Sequence, residues 1–356
     1  MPIFSINNDL KKRLSRIASE RLNSKLIAVE PLGGWNNLVL KLNCNGGKPF
    51  LVKKYYSNKD DNRDRIGVEF NSLKFLWSHG IRNIPEPIFA DFKNKIGIYS
   101  FIDGERLKLS EIDKEKILQT ILLLAKIKDL SHTVIAGDLP VASEACFSIK
   151  DYIDNLLMRY NRLEKVALNN EDDRLLNFLK EQFLPLLENA LEHLKSELKR
   201  YSMSYEEKLE FSEWTLSPSD VGFHNILKDR DDKIFLIDFE YFGWDDPVKM
   251  VCDILHQPDL PIPDEYRTFY LKNILKQLGA NQRFIRRLKI IYPLLGLKWS
   301  LIILNDFLPG VIMKRRFAKR VKKDHLSHQL EKAEKKLEKV MEEGQSFPKL
   351  LTKVAL

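Results

Sequence analysis

Asp220, Asn225 and Asp238 lie within one short stretch and together could hold a metal ion and move a proton. Asp220 stands five residues before Asn225 in a loop that contains Gly222. Asn225-Ile-Leu-Lys228 reads as a short strand, Asp229 to Asp232 as a polar turn, and Lys233 to Asp238 as a second, mostly apolar strand. A hairpin of these two strands sets Asn225 and Asp238 side by side at its open end, with Asp220 just upstream. Hard oxygen ligands of this kind suit Mg²⁺, and a further carboxylate can accept the proton of an attacking hydroxyl. Asp and Asn are common in loops, so the spacing gains its weight from Asp238 at the end of an apolar strand. His224, alone in the same loop, reads as a structural hydrogen-bonder, and His79, beside Gly80, as a capping or surface residue.

The elements that must position these groups fall into two blocks. In the first hundred residues, short strand candidates flank Pro31-Leu-Gly-Gly34 and the hairpin signal Asn45-Gly46-Gly47. One helix follows, with Ile66, Phe70, Leu73 and Trp77 on one face and Gly80 at its end. Two further strand-like runs lead to Asp103-Gly104, which marks the boundary. Beyond about Leu107 the apolar spacing is helical over 117–130, 149–163, 174–198, 266–278, 286–308 and 314–341. The strand-like island from Trp214 to Phe242 interrupts this series.

The Asp-x-x-x-x-Asn spacing, followed by Asp-Phe after an apolar strand, is the arrangement of kinase catalytic and metal loops. Leu216-Ser-Pro-Ser-Asp-Val-Gly-Phe-His-Asn-Ile-Leu227, with Leu236-Ile-Asp-Phe-Glu240, resembles the aminoglycoside phosphotransferase and choline kinase superfamily. Pro218-Ser219 stands where that superfamily has His-Gly, and Glu240 stands where protein kinases have Gly. The resemblance covers about residues 25 to 260. It implies an α+β, bilobed, protein-kinase-like fold. A small antiparallel-sheet lobe with one main helix (1–104) would bind the nucleotide. A larger helical lobe (105–356) would hold the catalytic and metal loops, at about 214–247, and the substrate-binding helices. It also assigns roles in the first block. Gly33 and Gly34 let a loop approach phosphates closely, and Lys53, closing Phe50-Leu-Val-Lys53, positions them. Glu69 braces Lys53, while the backbone of Ser100 and Ile102 bonds the adenine. Asp253 becomes the candidate that braces the catalytic loop.

The implied activity is ATP- and Mg²⁺-dependent transfer of the γ-phosphoryl group to a hydroxyl of a sugar, amino sugar or amino alcohol. Asp220 serves as base, and Asn225 and Asp238 as metal ligands. The alternative is a catalytically silent nucleotide-binding or scaffold protein of the same fold. No G-x-x-x-x-G-K-[ST] run supports a P-loop enzyme, and no added His or carboxylate set supports a metal-dependent hydrolase. Cys44, Cys146 and Cys252 form no CxxC pair, and no secretory signal opens the chain, so a cytoplasmic location is expected. The apolar run 290–308 contains Lys298, Asn305 and Asp306 and reads as a buried helix, not a transmembrane segment. No nucleic-acid partner is expected. The net charge of +8 is concentrated in 314–323, where seven of ten residues are Lys or Arg. Met313, Phe317 and Val321 recur at four-residue spacing there, giving an amphipathic helix with a basic outer face. That face is either simply solvated or a contact for an anionic partner or acceptor.

Overall fold

In the computed structural model the described residues are 7–34, 36–57, 63–134, 138–317 and 325–354. The chain begins with α1 (Asn8–Arg21), then β1 (Leu26–Pro31), β2 (Leu38–Cys44), β3 (Phe50–Lys54), α2 (Arg65–Ser78), β4 (Pro87–Asp91) and β5 (Ile96–Ser100). A two-residue strand β6 (Glu105–Arg106) leads into α3 (Lys114–Asp129), α4 (Ile149–Asn169), α5 (Asp173–Asn177) and α6 (Leu184–Tyr201). Short strands β7 (Thr215–Ser217), β8 (Ile226–Lys228), β9 (Ile234–Leu236) and β10 (Gly243–Asp245) form the island. The helices α7 (Pro247–His256), α8 (Asp264–Leu278), α9 (Gln282–Ile303), α10 (Pro309–Phe317) and α11 (His325–Val354) follow.

These elements gather into two compact units that are interleaved in sequence, not cut once at residue 104. The first comprises residues 1–105, 227–240 and 310–321; the second holds the rest. Strand β9 and the residues after it therefore join the N-terminal sheet's unit, because pairing and packing, not chain order, decide membership. Leu236 N–H, for example, donates to the Asn83 carbonyl at 2.9 Å.

In the first unit an antiparallel sheet runs in the order β1-β2-β3-β5-β4. Asn45-Gly46 makes the expected turn between β2 and β3, and Gly46 takes φ 72° there. Asp64 caps α2 by accepting from Gly67 N–H. The sequence reading named one main helix in this block. The structure adds α1, whose Leu14, Ile17 and Ala18 pack with Leu40, Leu42, Val52, Ile96 and Ile98 of the sheet. Leu10, Leu14, Ile17 and Ala18 carry the helical spacing that signals it.

In the second unit α9 is central and packs against α4, α7 and α11. The helical run 282–307 is long and apolar enough to cross a membrane, but 78 % of its most apolar window is buried inside the fold. The single helix expected over 174–198 is broken by a π-helical segment, Phe178–Phe183, just before Pro185. Proline has no N–H to continue an ordinary ladder, and a wider turn accommodates the gap.

Of the helix expected over 314–341, the described residues are helical up to Phe317 in α10 and from His325 in α11, and residues 318–324, including Val321, lie outside the described ones. Within α10 the expected polarity is also not met. Met313 is 55 % exposed, whereas Lys314 is only 9 % exposed.

Candidate active site

In the first unit the candidate residues gather around Lys53. Adjacent residues of β3 point to opposite faces, so Lys53 and Lys54 separate. Lys54 donates to the Asn94 carbonyl, and Lys53 turns into the protein. Lys53 Nζ lies 2.6 Å from Glu69 Oε2, 2.5 Å from Asp238 Oδ1 and 3.7 Å from Glu240 Oε2. The expected Lys53–Glu69 pair is present, and Asp238 joins it.

Glu69 connects several parts of this cluster. Its Oε2 accepts the Tyr55 hydroxyl at 2.6 Å, and its Oε1 accepts Phe239 N–H at 3.3 Å. One α2 carboxylate thus holds both the lysine and the backbone beside Asp238. Burial would lower the Lys53 pKa, but Asp238, Glu69 and Glu240 outweigh it and hold the ammonium well above its usual range. Burial pushes the Glu69 carboxyl up to about 7, with Asp238 and Glu240 adding to the rise and Lys53 opposing it.

Two residues of this cluster were not singled out from sequence. Glu240 accepts Asn37 Nδ2 at 2.7 Å and lies 3.7 Å from Arg65 Nε. Its position where protein kinases carry glycine was the available signal. Asn37 also accepts Tyr56 N–H at 3.1 Å, which ties the end of the glycine loop to the end of β3. In that loop Gly33 takes φ 80°, a left-handed value that favours glycine. A Cβ at Gly34 would lie 2.1 Å from the Asn37 carbonyl oxygen, so the turn closes only with glycine there.

The oxygens of Glu69, Asp238 and Glu240 all lie within 4.8 Å of one another, a spacing that could hold a cation. Glu69 and Glu240 side chains are 5 % and 1 % exposed and tied internally, whereas the Asp238 side chain is 36 % exposed. Lys53 and Arg65 face these three carboxylates, so a further positive charge fits the local balance. Asp238, the accessible member, suits a magnesium ion. Asp238 itself takes φ 69°, a strained value for a non-glycine residue that persists where surrounding contacts enforce it.

Ser100 and Ile102, the linker residues expected from the resemblance to meet an adenine, make backbone bonds within the fold. Ser100 N–H donates to the Glu86 carbonyl at 2.9 Å, and the Ile102 carbonyl accepts Gly104 N–H at 3.0 Å.

In the second unit the loop that carries Asp220 is closed by Asn225. Its Nδ2 donates to the Asp220 carbonyl at 2.9 Å, and Asp220 N–H donates to the Pro218 carbonyl at 2.8 Å. His224 Nε2 lies 3.4 Å from Asp220 Oδ1, which fits the structural role expected for it. Burial alone would raise the Asp220 carboxyl. His224, through charge and hydrogen bonding, and the Asn225 hydrogen bond hold it below its usual range, so it stays ionised and able to accept a proton.

Ser219 replaces the family's glycine, yet it takes φ 64°, the backbone region that glycine favours. Its hydroxyl compensates. Ser219 Oγ donates to the Ser143 carbonyl at 3.1 Å and accepts from Lys249 Nζ at 3.3 Å. Lys249 also lies 2.8 Å from Asp253 Oδ2 and 3.1 Å from Asp245 Oδ2. Asp253 thus reaches the loop through Lys249, and Trp299 Nε1 donates to its other oxygen at 3.0 Å. Asp245 and Asp246 form no acidic surface. Both are fully buried, with Asp246 capping α7 and pairing with Arg287.

The family model described as Choline/ethanolamine kinase matches residues 29–246. This chain belongs to the choline/ethanolamine kinase family. It is accordingly a small-molecule kinase with a hydroxyl acceptor. Among solved structures, choline kinase from Streptococcus pneumoniae is 17 % identical over 93 % of this chain and 100 % of its own, with a TM-score of 0.57. A spectinomycin phosphotransferase solved with ADP and spectinomycin is 15 % identical over 94 % of this chain and 99 % of its own, at 0.59. An ethanolamine kinase from Plasmodium vivax is 16 % identical over 92 % of this chain and 90 % of its own, at 0.53. Identities this low establish the shared α+β fold. No curated protein matches the sequence. As a choline/ethanolamine kinase family member, the chain has its matched region spanning the glycine loop, Lys53, Glu69, the Asp220 loop and Asp238.

Proposed function

We propose that the protein transfers the γ-phosphoryl group of ATP to the hydroxyl of a small amino alcohol or amino sugar. The observation that carries this reading is the Lys53–Glu69–Asp238 cluster, with Lys53 held at 2.6 Å and 2.5 Å from the two carboxylates. Lys53 positions the nucleotide phosphates, and Glu69 fixes Lys53. Asp220 accepts the hydrogen bond of the acceptor hydroxyl, orients it, and takes its proton as the oxygen attacks phosphorus. Asp238 and Asn225 are the ligands for Mg²⁺, which when bound supplies positive charge to the phosphates. The Asn225 Nδ2 is committed to the Asp220 carbonyl, so its Oδ1 is the oxygen for the metal. The chain forms no covalent intermediate. The three cysteines are free and buried, which accords with a reducing cytoplasm as its location.

An amino alcohol is favoured because the matching family model is described by choline and ethanolamine. The test is phosphate transfer from radiolabelled ATP with Mg²⁺ to choline, ethanolamine, amino sugars and neutral sugars, with Asp238→Ala as control. An amino-alcohol or amino-sugar phosphate made by the wild type and absent with the variant supports the assignment. Wild-type protein that labels none of these acceptors overturns it.

A further inference from the structure

The basic segment is the strongest sequence feature that the reaction has not used, and in the first unit it meets the glycine loop. The described part of residues 310–321 belongs to the unit that holds Lys53. Arg315 Nη1 donates to Asn36 Oδ1 at 3.2 Å. Two residues on, the Phe317 ring packs edge-on against Tyr56 with centroids 5.4 Å apart. Tyr56 N–H is the donor to Asn37 Oδ1, and Asn37 Nδ2 is the donor to Glu240. Helix α10 therefore holds the loop at two successive residues, one directly and one through Tyr56. The second connection continues through Glu240 to Lys53, 3.7 Å away.

We propose that Arg315 is a positioning residue for the nucleotide loop and that α10 serves the ATP phosphates, not the acceptor. This rests on the phosphotransferase reading above, in which the loop containing Gly33 and Gly34 covers the phosphates. A guanidinium keeps its charge at every working pH, and its planar donors hold an amide oxygen in fixed geometry. Its bond to Asn36 is to a neutral amide oxygen of the loop and holds that residue in place. The same group adds positive potential beside a loop that must receive a highly anionic ligand. Lys314 is buried and Arg315 half-buried, while Met313 and Arg316 are exposed, so Lys314 and Arg315 are the basic residues of α10 that turn inward.

The experiment measures binding of adenosine, Mg·ADP and Mg·ATP to the full chain by titration calorimetry, with competition for the weak ligands. Arg315→Ala is expected to weaken Mg·ATP about ten-fold, Mg·ADP less, and adenosine not at all. Asn36→Ala, which removes the bond and leaves the charge, should show the same pattern to a smaller extent, and the double variant should lose no more than Arg315→Ala alone. Arg315→Lys, which keeps the charge but not the planar fork, should fall between. Arg316→Gln, at an exposed position of the same helix, should match the wild type. Equal Mg·ATP affinity in wild type and Arg315→Ala overturns the proposal. So does a loss that is the same for all three ligands and accompanied by a lower melting temperature, which would make Arg315 a fold support only. Wild-type protein that binds no Mg·ATP sinks the phosphotransferase reading itself and this proposal with it, a result distinct from the other two.

Discussion

Asp220 and Ser219 are neighbours in one loop but answer to different measurements. In the proposed reaction Asp220 acts on the acceptor hydroxyl, so Asp220→Asn should lower kcat by about 100- to 10,000-fold while ATP affinity stays within about two-fold. A variant that mainly loses nucleotide binding would place Asp220 in the wrong role. Ser219 is a backbone case. It holds φ 64° and donates to the Ser143 carbonyl, so Ser219→Ala keeps the strain and loses the bond. We expect Ser219→Ala to cost about 1 kcal/mol in urea denaturation. Ser219→Gly, which relieves the strain, should cost only a few tenths. Equal losses would show that the backbone angle matters little. The absence of His-Gly before Asp220 was the sole sequence feature favouring a silent protein. At Ser219 the loop retains the glycine-like turn.

Helix α11 is fixed by packing but carries a buried ammonium that opposes it. It runs against α9 at Gly296, where an added Cβ would lie 2.8 Å from Val340 Cγ2 and 3.0 Å from His256 Cε1. Beside that contact, Lys336 Nζ lies 3.2 Å from His256 Nδ1, and His256 Nε2 bonds the Tyr292 carbonyl. Burial brings the Lys336 ammonium down to about 7, with Lys339 and Arg267 reinforcing the shift and Glu343 opposing it. The unfolded chain holds this proton up to about pH 10.4 and the folded one only to about 7, so the unfolded state binds more protons between those limits. Stability from this group therefore rises with pH across the window, and falls as pH drops toward 7. Lys336→Met should raise the melting temperature at pH 7, and the gain should shrink steadily toward pH 10. A gain that is constant with pH would assign the effect to packing alone.

For the whole molecule, ligand binding to the folded state must appear as stability. At 100 times its Kd, Mg·ATP should add about 2.7 kcal/mol, and ATP with EDTA much less. Differential scanning fluorimetry reads both, and no dependence on magnesium would remove the metal from the nucleotide site. The net charge of +8 is not evenly useful information at this scale. Asp245 and Asp246 are consumed inside the second unit, while Arg315 meets the glycine loop in the first. Neither sign of surface charge therefore identifies the acceptor. The family relation is what directs the screen to amino alcohols.

The sequence by itself determined the order in which the proposed site residues follow one another: Gly33-Gly34, Lys53, Glu69, Asp220, Asn225 and Asp238. Local spacing singled out Asp220, Asn225 and Asp238, whereas the family resemblance selected Lys53, Glu69 and the two glycines. Strand alternation separates Lys53 from Lys54, and five-residue spacing brings the Asn225 amide back to the Asp220 carbonyl. Helix α1 was equally local, and its apolar spacing could have been read. Only the tertiary structure brought Asn37 and Glu240, 203 residues apart, into one hydrogen bond, and only it buried Asp245 and Asp246 with cationic partners. It also turned Lys314 inward and Met313 outward against the apolar pattern. A periodicity rule treats lysine as outward-facing, but long aliphatic stems can be buried where the neighbouring element supplies suitable contacts. Such contacts come from distant parts of the chain, and no spacing within the segment encodes them.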